Sequence, residues 1–364
     1  MNRFIQLHIL TSYPPANLNR DDLGRPKTAK MGGVDRLRVS SQSLKRHWRT
    51  SELFQQALAG NIGTRTKMVG RNVYDQLIAG GVGEKDAKSW AQEIAGQFGK
   101  VKKPKTKDEA NPFEDLEIEQ LVHLSGEELA KVDALAATLI AEKRKPNNDE
   151  LQLLRHATSA VDIALFGRML ASKTQYNIEA ACQVAHALTV HPVVIEDDYF
   201  TAVDDLSQDY KEDAGSSHIG ETAFAAGLFY SYVCIDREHL ITNLNGDEAL
   251  ANRAIAALVE SAVKVPPSGK QNSFAHQSYA SYALAEVGDQ QPRSLATAYL
   301  HAVDVERSFN KPDYLLEAIS KLETQKQRFD QAYGSCADKS YSLNVNQQQG
   351  TLAELIAFIT PQAS

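Results

Sequence analysis

VDRLRVSSQSLKRHWRT, from Val34 to Thr50, sets a helix start inside a basic cluster. Ser40, Ser41 and Ser43 each suit the N-cap, because a serine hydroxyl can accept from the backbone N–H groups that a first turn leaves open. Arg36, Arg38, Lys45, Arg46 and Arg49 surround that start, where open amides and the positive dipole end favour an anion. Beyond the cap, Gln42, Lys45, Arg46 and Arg49 recur at three- and four-residue spacing and share one face, while Leu44 and Trp48 take another and pack inward. Phosphates at the cap with a basic stripe leading away suit a nucleic-acid backbone. A solvated basic face on an ordinary helix is the plainer reading, and the stretch alone does not choose between them.

Upstream, Arg3–Leu10 alternates, with Ile5, Leu7 and Ile9 on one face and Phe4, Gln6 and His8 on the other, the pattern of a half-buried strand. Thr11–Gly33 reads as a long Pro- and Gly-containing loop carrying Arg20, Arg25, Lys27 and Lys30; loops of that length are commonly functional or disordered. The helix begun at Ser41 runs to about Leu58. Helical patterns then fill Arg65–Ile78, Glu84–Phe98 and Glu127–Lys143, the last with Ser125 and Glu128 as a capping box. A charged linker, Lys100–Asp115, interrupts them, and the region reads as a helical insertion.

Ser159–Met169 is strand-like with a glycine near its end, and Ile178–Leu188 reads as a helix. His191–Gly220 has the form of a protruding hairpin-like arm with Tyr199 and Phe200 at its tip. Phe224–Ile235 reads as a strand and Glu248–Val263 as a helix capped by Asp247. Ser278–Val287 is a strand after the loop PPSGKQNSFAHQ, and Pro312–Ala332 is helical. Without the insertions the order is strand, helix, strand, strand, helix, strand. That is the βαββαβ order of a ferredoxin-like or RNA-recognition-type sheet, in an α+β chain.

The net charge of −7 over 364 residues excludes a general coat of positive charge, so any polyanion site must be local. Cys182, Cys234 and Cys336 are too few and too scattered for a zinc cluster or a disulfide framework, which favours a reducing compartment. No apolar run is long enough for a signal peptide or a bilayer span, so the chain is expected in the cytoplasm, away from membranes. No phosphate-binding glycine loop, metal-ligand cysteine pattern or nucleophile motif is found, and no cofactor or metal is expected.

NLNRDD (Asn17–Asp22), RVSSQSLKR (Arg38–Arg46), VDIALFGRM (Val161–Met169), FTAVDDL (Phe200–Leu206) and HIG (His218–Gly220) occur in that order. Together they resemble the CasC family, the RNA-binding backbone subunits of type I-E CRISPR Cascade. The resemblance covers most of the chain and is weakest in the helical insertion and after about Val287. It implies a ferredoxin-like (RRM-like) palm with a large helical insertion (fingers) and a protruding hairpin-like thumb. The corresponding boundaries are palm 1–59, 156–190 and 221–364, fingers 60–155 and thumb 191–220.

The implied role is a non-catalytic scaffold that oligomerises along CRISPR RNA and displaces bases at regular intervals, leaving the rest to pair with invading DNA. Base pairing then reads sequence while the protein reads backbone and shape. The implied partners are CRISPR RNA, other copies of the chain, other Cascade subunits, and target DNA through the guide. On this resemblance Ser40, Gln42, Lys45, Arg46 and Arg49 match the palm segment that contacts guide phosphates, and Arg20 and Lys27 match basic loop positions near the RNA. Arg168 and Met169 match a basic residue and an apolar wedge beside the kinked nucleotides. Phe200, Thr201 and Val203 match the thumb tip, and Lys270 and Gln271 a basic loop near the RNA, with Asn272 departing from a basic residue there.

A rival reading is a metal-dependent ribonuclease, because Glu196, Asp197, Asp198, Asp204 and Asp205 cluster on the arm and grouped carboxylates can hold two metal ions. His8, His186, His191, His218 and His276 raise acid–base RNA cleavage, but share no spacing, so structural roles are expected for them. The lysines of Lys100–Lys107 and Lys143–Lys145 are expected on a solvated surface, with a weak contact to duplex DNA as the alternative.

Overall fold

The computed structural model describes residues 2–103, 113–202, 218–303 and 313–360. Val203, Asp204 and Asp205, together with part of the expected linker, lie outside the described residues. The chain divides into two compact units: one of residues 1–54, 184–234 and 255–364, built on a sheet, and one of residues 55–183 and 235–254, mostly helical.

The sheet unit begins with β1 (Phe4–Ala16), β2 (Thr28–Met31), β3 (Val34–Val39) and helix α1 (Ser41–Thr50); α2 (Glu52–Ala57) follows at its boundary. The expected loop before Val34 is therefore partly a hairpin. Met31 pairs with Val34 across Gly32–Gly33, both at positive φ, as a two-residue hairpin turn requires. A side chain at Gly32 would also collide with the Leu300 carbonyl, so glycine is needed there twice over. The expected helix to Leu58 breaks at Ser51, which is extended; its N–H and hydroxyl both bond the Trp48 carbonyl.

The helical unit carries β4 (Thr64–Thr66), α3 (Val69–Ala79), α4 (Glu84–Ala95), β5 (Val122–Leu124), α5 (Gly126–Glu142) and α6 (Val161–Phe166). Val73, Leu77, Trp90, Ile94, Leu124, Leu135 and Leu139 belong to its core. The capping box expected at α5 is present in full, with Ser125 accepting from Glu128 N–H and Glu128 accepting from Ser125 N–H. The strand expected over Ser159–Met169 is not there, because α6 occupies its centre. Val161 to Leu165 are all buried, so no polar face marks the helical period and the run reads as a strand.

The reverse error falls on Ile178–Leu188, expected helical, which holds the short strands β6 (Cys182–Val184) and β7 (Ala187–Thr189). Leu188 and Thr189 pair with Tyr230 and Phe229, and Arg38 with Leu188, so two neighbouring strands override local helix preference.

The chain continues through β8 (Glu196–Ala202), β9 (His218–Asp236), α7 (Arg237–Asn243), α8 (Glu248–Lys264), α9 (Gln271–Phe274), β10 (Tyr282–Gly288), α10 (Tyr314–Tyr333), β11 (Lys339–Asn344) and α11 (Leu352–Ile359). The strand order is β11–β10–β1–β9–β7–β3–β2. Its centre, β10–β1–β9–β7, is the fourth, first, third and second strand of a βαββαβ core, so the expected ferredoxin-like order holds, with β7 rather than 159–169 as the second strand. The hairpin-like arm is also seen: β8 pairs antiparallel with the outer end of β9, from Glu196↔Phe224 to Ala202↔His218.

β1 is not half-buried, as its alternation suggests, but buried on both faces. Leu10 joins Tyr230, Tyr282, Leu284, Tyr299, Ile319 and Leu322 in a core supplied in part by α10. The polar side chains on that face are satisfied internally. His8 Nδ1 lies 2.9 Å from Tyr230 Oη and its Nε2 3.1 Å from the wholly buried Glu286, which Arg293 Nη2 holds at 3.0 Å. The Tyr232 hydroxyl donates to Gln6 at 2.8 Å. Among the described residues no helix is long and apolar enough to cross a membrane.

Candidate nucleic-acid interface

The start of α1 is the centre of the candidate site. Ser40, extended at the end of β3, caps the helix by accepting from Ser43 N–H at 3.3 Å, and the first turn carries no acidic residue. Leu44 and Trp48 are buried as expected, and Gln42, Lys45, Arg46 and Arg49 lie on the face that keeps solvent contact.

Three other segments meet at this helix start: the Asn19–Lys27 loop, Arg38 on β3, and the loop before α9. Asn19 Oδ1 accepts from Ser40 N–H at 3.0 Å, and Asn19 O accepts from Lys27 N–H at 2.8 Å. Lys27 O in turn accepts from Arg38 N–H at 2.8 Å, so the loop holding Arg20 and Lys27 is pinned beside Arg38. Arg20 itself is exposed, in an isolated bridge to Pro26. The third segment is the loop before α9. Gly269 sits against the carbonyls of Asn17 and Leu18, where a Cβ would come within 2.7 Å of Asn17 O. That close approach brings exposed Lys270 and half-buried Gln271 alongside.

Within this arrangement His47 acts as a rivet. Its Nδ1–H donates to Ser43 O at 2.6 Å and its Nε2 accepts from Ser268 at 2.8 Å. Burial, offset in part by the Ser43 bond and reinforced by Arg46 and His276, lowers its pKa and keeps it neutral. No carboxylate among the described residues forms an ion pair with Lys27, Arg38, Arg46 or Lys270. The result is a local surface of cations, amides and hydroxyls in an acidic protein, suited to phosphates without selection of bases.

Two basic residues that the sequence puts in the same class do other work. Arg36, in the opening cluster, is fully buried; its guanidinium donates to Thr189 O and Tyr299 O at 3.0 Å and to Met31 O at 3.3 Å. It ties β3 to its surroundings and offers nothing to solvent.

Arg168, expected beside nucleotides, is likewise buried. It contacts both Glu128 oxygens, at 2.7 and 2.9 Å, and donates to the carbonyls of His123, Arg155 and Tyr176. The expectation of a basic residue beside nucleotides at 168 is thus corrected: a buried guanidinium needs acceptors for all its N–H groups, and this one finds them within the helical unit. Met169 next to it is 85% exposed, between Arg168, whose N–H and C=O both pair with Ile178, and Leu170, whose N–H is held by Asn177.

On the β8–β9 arm Phe200 is 45% exposed and lies across Gly220, its register partner, where a Cβ would strike the ring. Thr201 is exposed beside it, and Val203 lies outside the described residues. Of the arm carboxylates, Asp197 pairs with Arg25 at 2.9 Å, and Glu196 and Asp198 are exposed. No group of three or more His, Cys, Asp or Glu among the described residues could hold a metal ion. The histidines are dispersed: His8 and His276 are buried, His191 accepts from Leu228 N–H, and His186 is exposed. In the helical unit Lys100 and Lys102 pair with Glu119 and Glu117.

Sequence reasoning missed the parts Asn19 and Ser268 play in the site; side-chain bonds between distant segments leave no trace in spacing. The β2–β3 hairpin had a readable signal in the Gly32–Gly33 pair.

Fold and site together define an α+β protein with a ferredoxin-like strand order and a local cationic surface at a helix start. The chain belongs to the CT1975-like protein family, whose model matches residues 5–358. It is similar to a chain of a "CRISPR RNA-guided surveillance complex, pre-nicking", with 28% identity, a TM-score of 0.82, and coverage of 99% of this chain and 100% of that one. A chain of another "CRISPR RNA-guided surveillance complex" shares the fold at 23% identity and a TM-score of 0.71, with 99% and 100% covered. No curated protein matches the chain.

Proposed function

We propose that this chain is a CasC-type backbone subunit of a type I-E Cascade, a non-catalytic scaffold that polymerises along CRISPR RNA. In this reading the sheet unit is the palm, the helical unit the fingers and the β8–β9 hairpin the thumb; the helical unit also takes in residues 156–183 and 235–254, which were expected in the palm. Lys27, Ser40, Gln42, Lys45, Arg46 and Arg49, with Arg20, Lys270 and Gln271, grip guide phosphates. The thumb residues Phe200, Thr201 and Val203 displace a base at regular intervals, so that the remaining bases pair with target DNA; Met169, exposed on the helical unit, is an apolar wedge of its own. Its partners are CRISPR RNA, further copies of itself and other Cascade subunits, in the cytoplasm.

The observation that carries this reading is the bonding of the Asn19–Lys27 loop, Arg38, the α1 start and the Ser268–Gln271 loop into one cationic surface. Backbone binding without base readout needs amides and cations in that arrangement, and the similar chains named above come from RNA-guided complexes. An exposed apolar residue on a protruding hairpin is what unstacking a base step needs.

The test is fluorescence anisotropy with several RNAs of unrelated sequence across a salt series. Lys45→Ala with Arg49→Ala should weaken all of them alike and reduce the slope of log K against log salt by about 1.4, at about 0.7 per phosphate of a single strand. A loss confined to some sequences, or an unchanged slope, would defeat the backbone-grip reading. Recovery of a discrete small RNA with the purified protein is the complementary observation.

A further inference from the structure

We propose that His186 and Arg38 form a further phosphate-binding pair of this surface, and that His186 takes up a proton from solvent when RNA binds. The proposal rests on the RNA-binding reading above and extends it to a residue that the reading leaves unassigned.

The position of His186 follows from strand register. Arg38 pairs with Leu188 and Val39 with Ala187, antiparallel. One step further, past the end of that ladder, Ser40 and His186 are the next residues of their two chains, and Ser40 is still extended. The turn between β6 and β7 therefore brings an exposed imidazole to the mouth of α1, beside the residue that caps it. The same turn was expected to be helical, which would have placed His186 on a helix face unrelated to β3.

Its charged surroundings are cationic. His186 Nδ1 lies 3.4 Å from Arg38 Nη1, an arrangement in which the neutral ring accepts from the guanidinium. Among the described residues Arg38 has one further acceptor, Thr28 O, at a long 3.4 Å from Nε. Among the described residues the charged groups that act on His186 are both cations, Arg38 from β3 and Lys27 from the preceding loop, and the first turn of α1 carries no acidic residue. Desolvation, then Arg38, then Lys27 depress its basicity. With no carboxylate among the described residues balancing these charges, the neutral ring is favoured in the free protein.

A phosphodiester entering between Lys27 and Arg38 reverses the two charge influences, though not the desolvation. Its negative charge offsets the two cations, and its oxygens accept from Arg38, which releases Nδ1. The ring can then bind a proton and donate to the same phosphate. By linkage, a group whose pKa rises on binding makes affinity fall as pH rises through that group's range. His47, the other histidine at this surface, has both nitrogens engaged by Ser43 and Ser268 and is not expected to share the effect.

Isothermal titration of the full chain with a guide-length RNA, at pH 6.8 in buffers of different ionisation enthalpy, measures the proton uptake directly. The expected result for wild type is uptake of a substantial fraction of one proton per site, with affinity falling about tenfold from pH 6 to pH 8. His186→Gln should abolish the uptake and bind at pH 6 about as weakly as wild type does at pH 8. Equal uptake by wild type and His186→Gln, or RNA binding by wild type with no uptake, overturns the proposal while leaving the RNA-binding reading intact. A wild type that binds no RNA at either pH overturns both.

Discussion

Replacing Arg168 by methionine separates a structural arginine from an RNA-binding one. The guanidinium and the Glu128 carboxylate are each about 1% exposed, and Nη1 lies 2.7 and 2.9 Å from the two oxygens. Methionine conserves most of the volume, so little of the effect comes from a cavity. The cost comes from leaving a carboxylate without its cation in a dry site, about 3–5 kcal/mol for a buried pair. Glu128 retains bonds from the N–H groups of Ser125 and Arg155, which favours the lower end, about 3 kcal/mol. The carbonyls of His123, Arg155 and Tyr176 lose a donor as well.

Thermal unfolding followed by circular dichroism should therefore show a fall of about 10 °C, and urea titration a lower midpoint with a similar slope. Adding Glu128→Gln should restore part of the loss, with a coupling of about 2 kcal/mol, because the two side chains depend on each other. RNA affinity measured well below the unfolding temperature should keep its salt slope. A stability change under about 1 kcal/mol, combined with a salt slope reduced by one phosphate, would refute this reasoning and return Arg168 to the RNA surface.

Phe200→Ala should leave RNA affinity nearly unchanged but reduce the regular base displacement; nucleotide-resolved chemical probing with an unaltered pattern would remove Phe200 from that role. Acid should destabilise the sheet unit through Glu286 and His8. Burial alone would raise Glu286, but hydrogen bonds and charge from His8 and Arg293 bring it to about 2, below an unfolded value of 4.5. A carboxylate depressed in this way contributes stability that is present above about pH 4.5 and lost toward pH 2, on the order of 3 kcal/mol. Burial lowers His8 against the opposing Glu286 bond, so its contribution is lost as pH falls below its ordinary value of 6.5. Unfolding free energies for wild type and Glu286→Gln between pH 7 and pH 3 should converge, and a constant gap would count against the network.

Much of the helical structure was legible because its elements carry their own signals. The capping box at Ser125 and Glu128, the cap at Asp247 and the basic face after Ser40 are local bonds among neighbours in sequence, so residue type and spacing suffice to find them. The order of the ferredoxin-like core was legible as a pattern, yet the element assigned to its second strand was not the one that fills it. α6 is buried on all sides and loses its polar face, while β7 is held by strands more than forty residues away on one side and nearly 150 on the other.

The sequence by itself determined where helices start, where the chain is locally basic, and that a cationic site had to be confined within an acidic protein. Only the tertiary structure decided which cations remain available. Arg36, Arg38 and Arg168 are indistinguishable as residue types, but two are buried against carbonyls or a carboxylate and one stands beside the helix start. The physical reason is that a guanidinium's role depends on its acceptors, and those acceptors are brought together by strand pairing and packing across distant parts of the chain. The same pairing carries His186 to the mouth of α1, a position that no spacing in the sequence encodes.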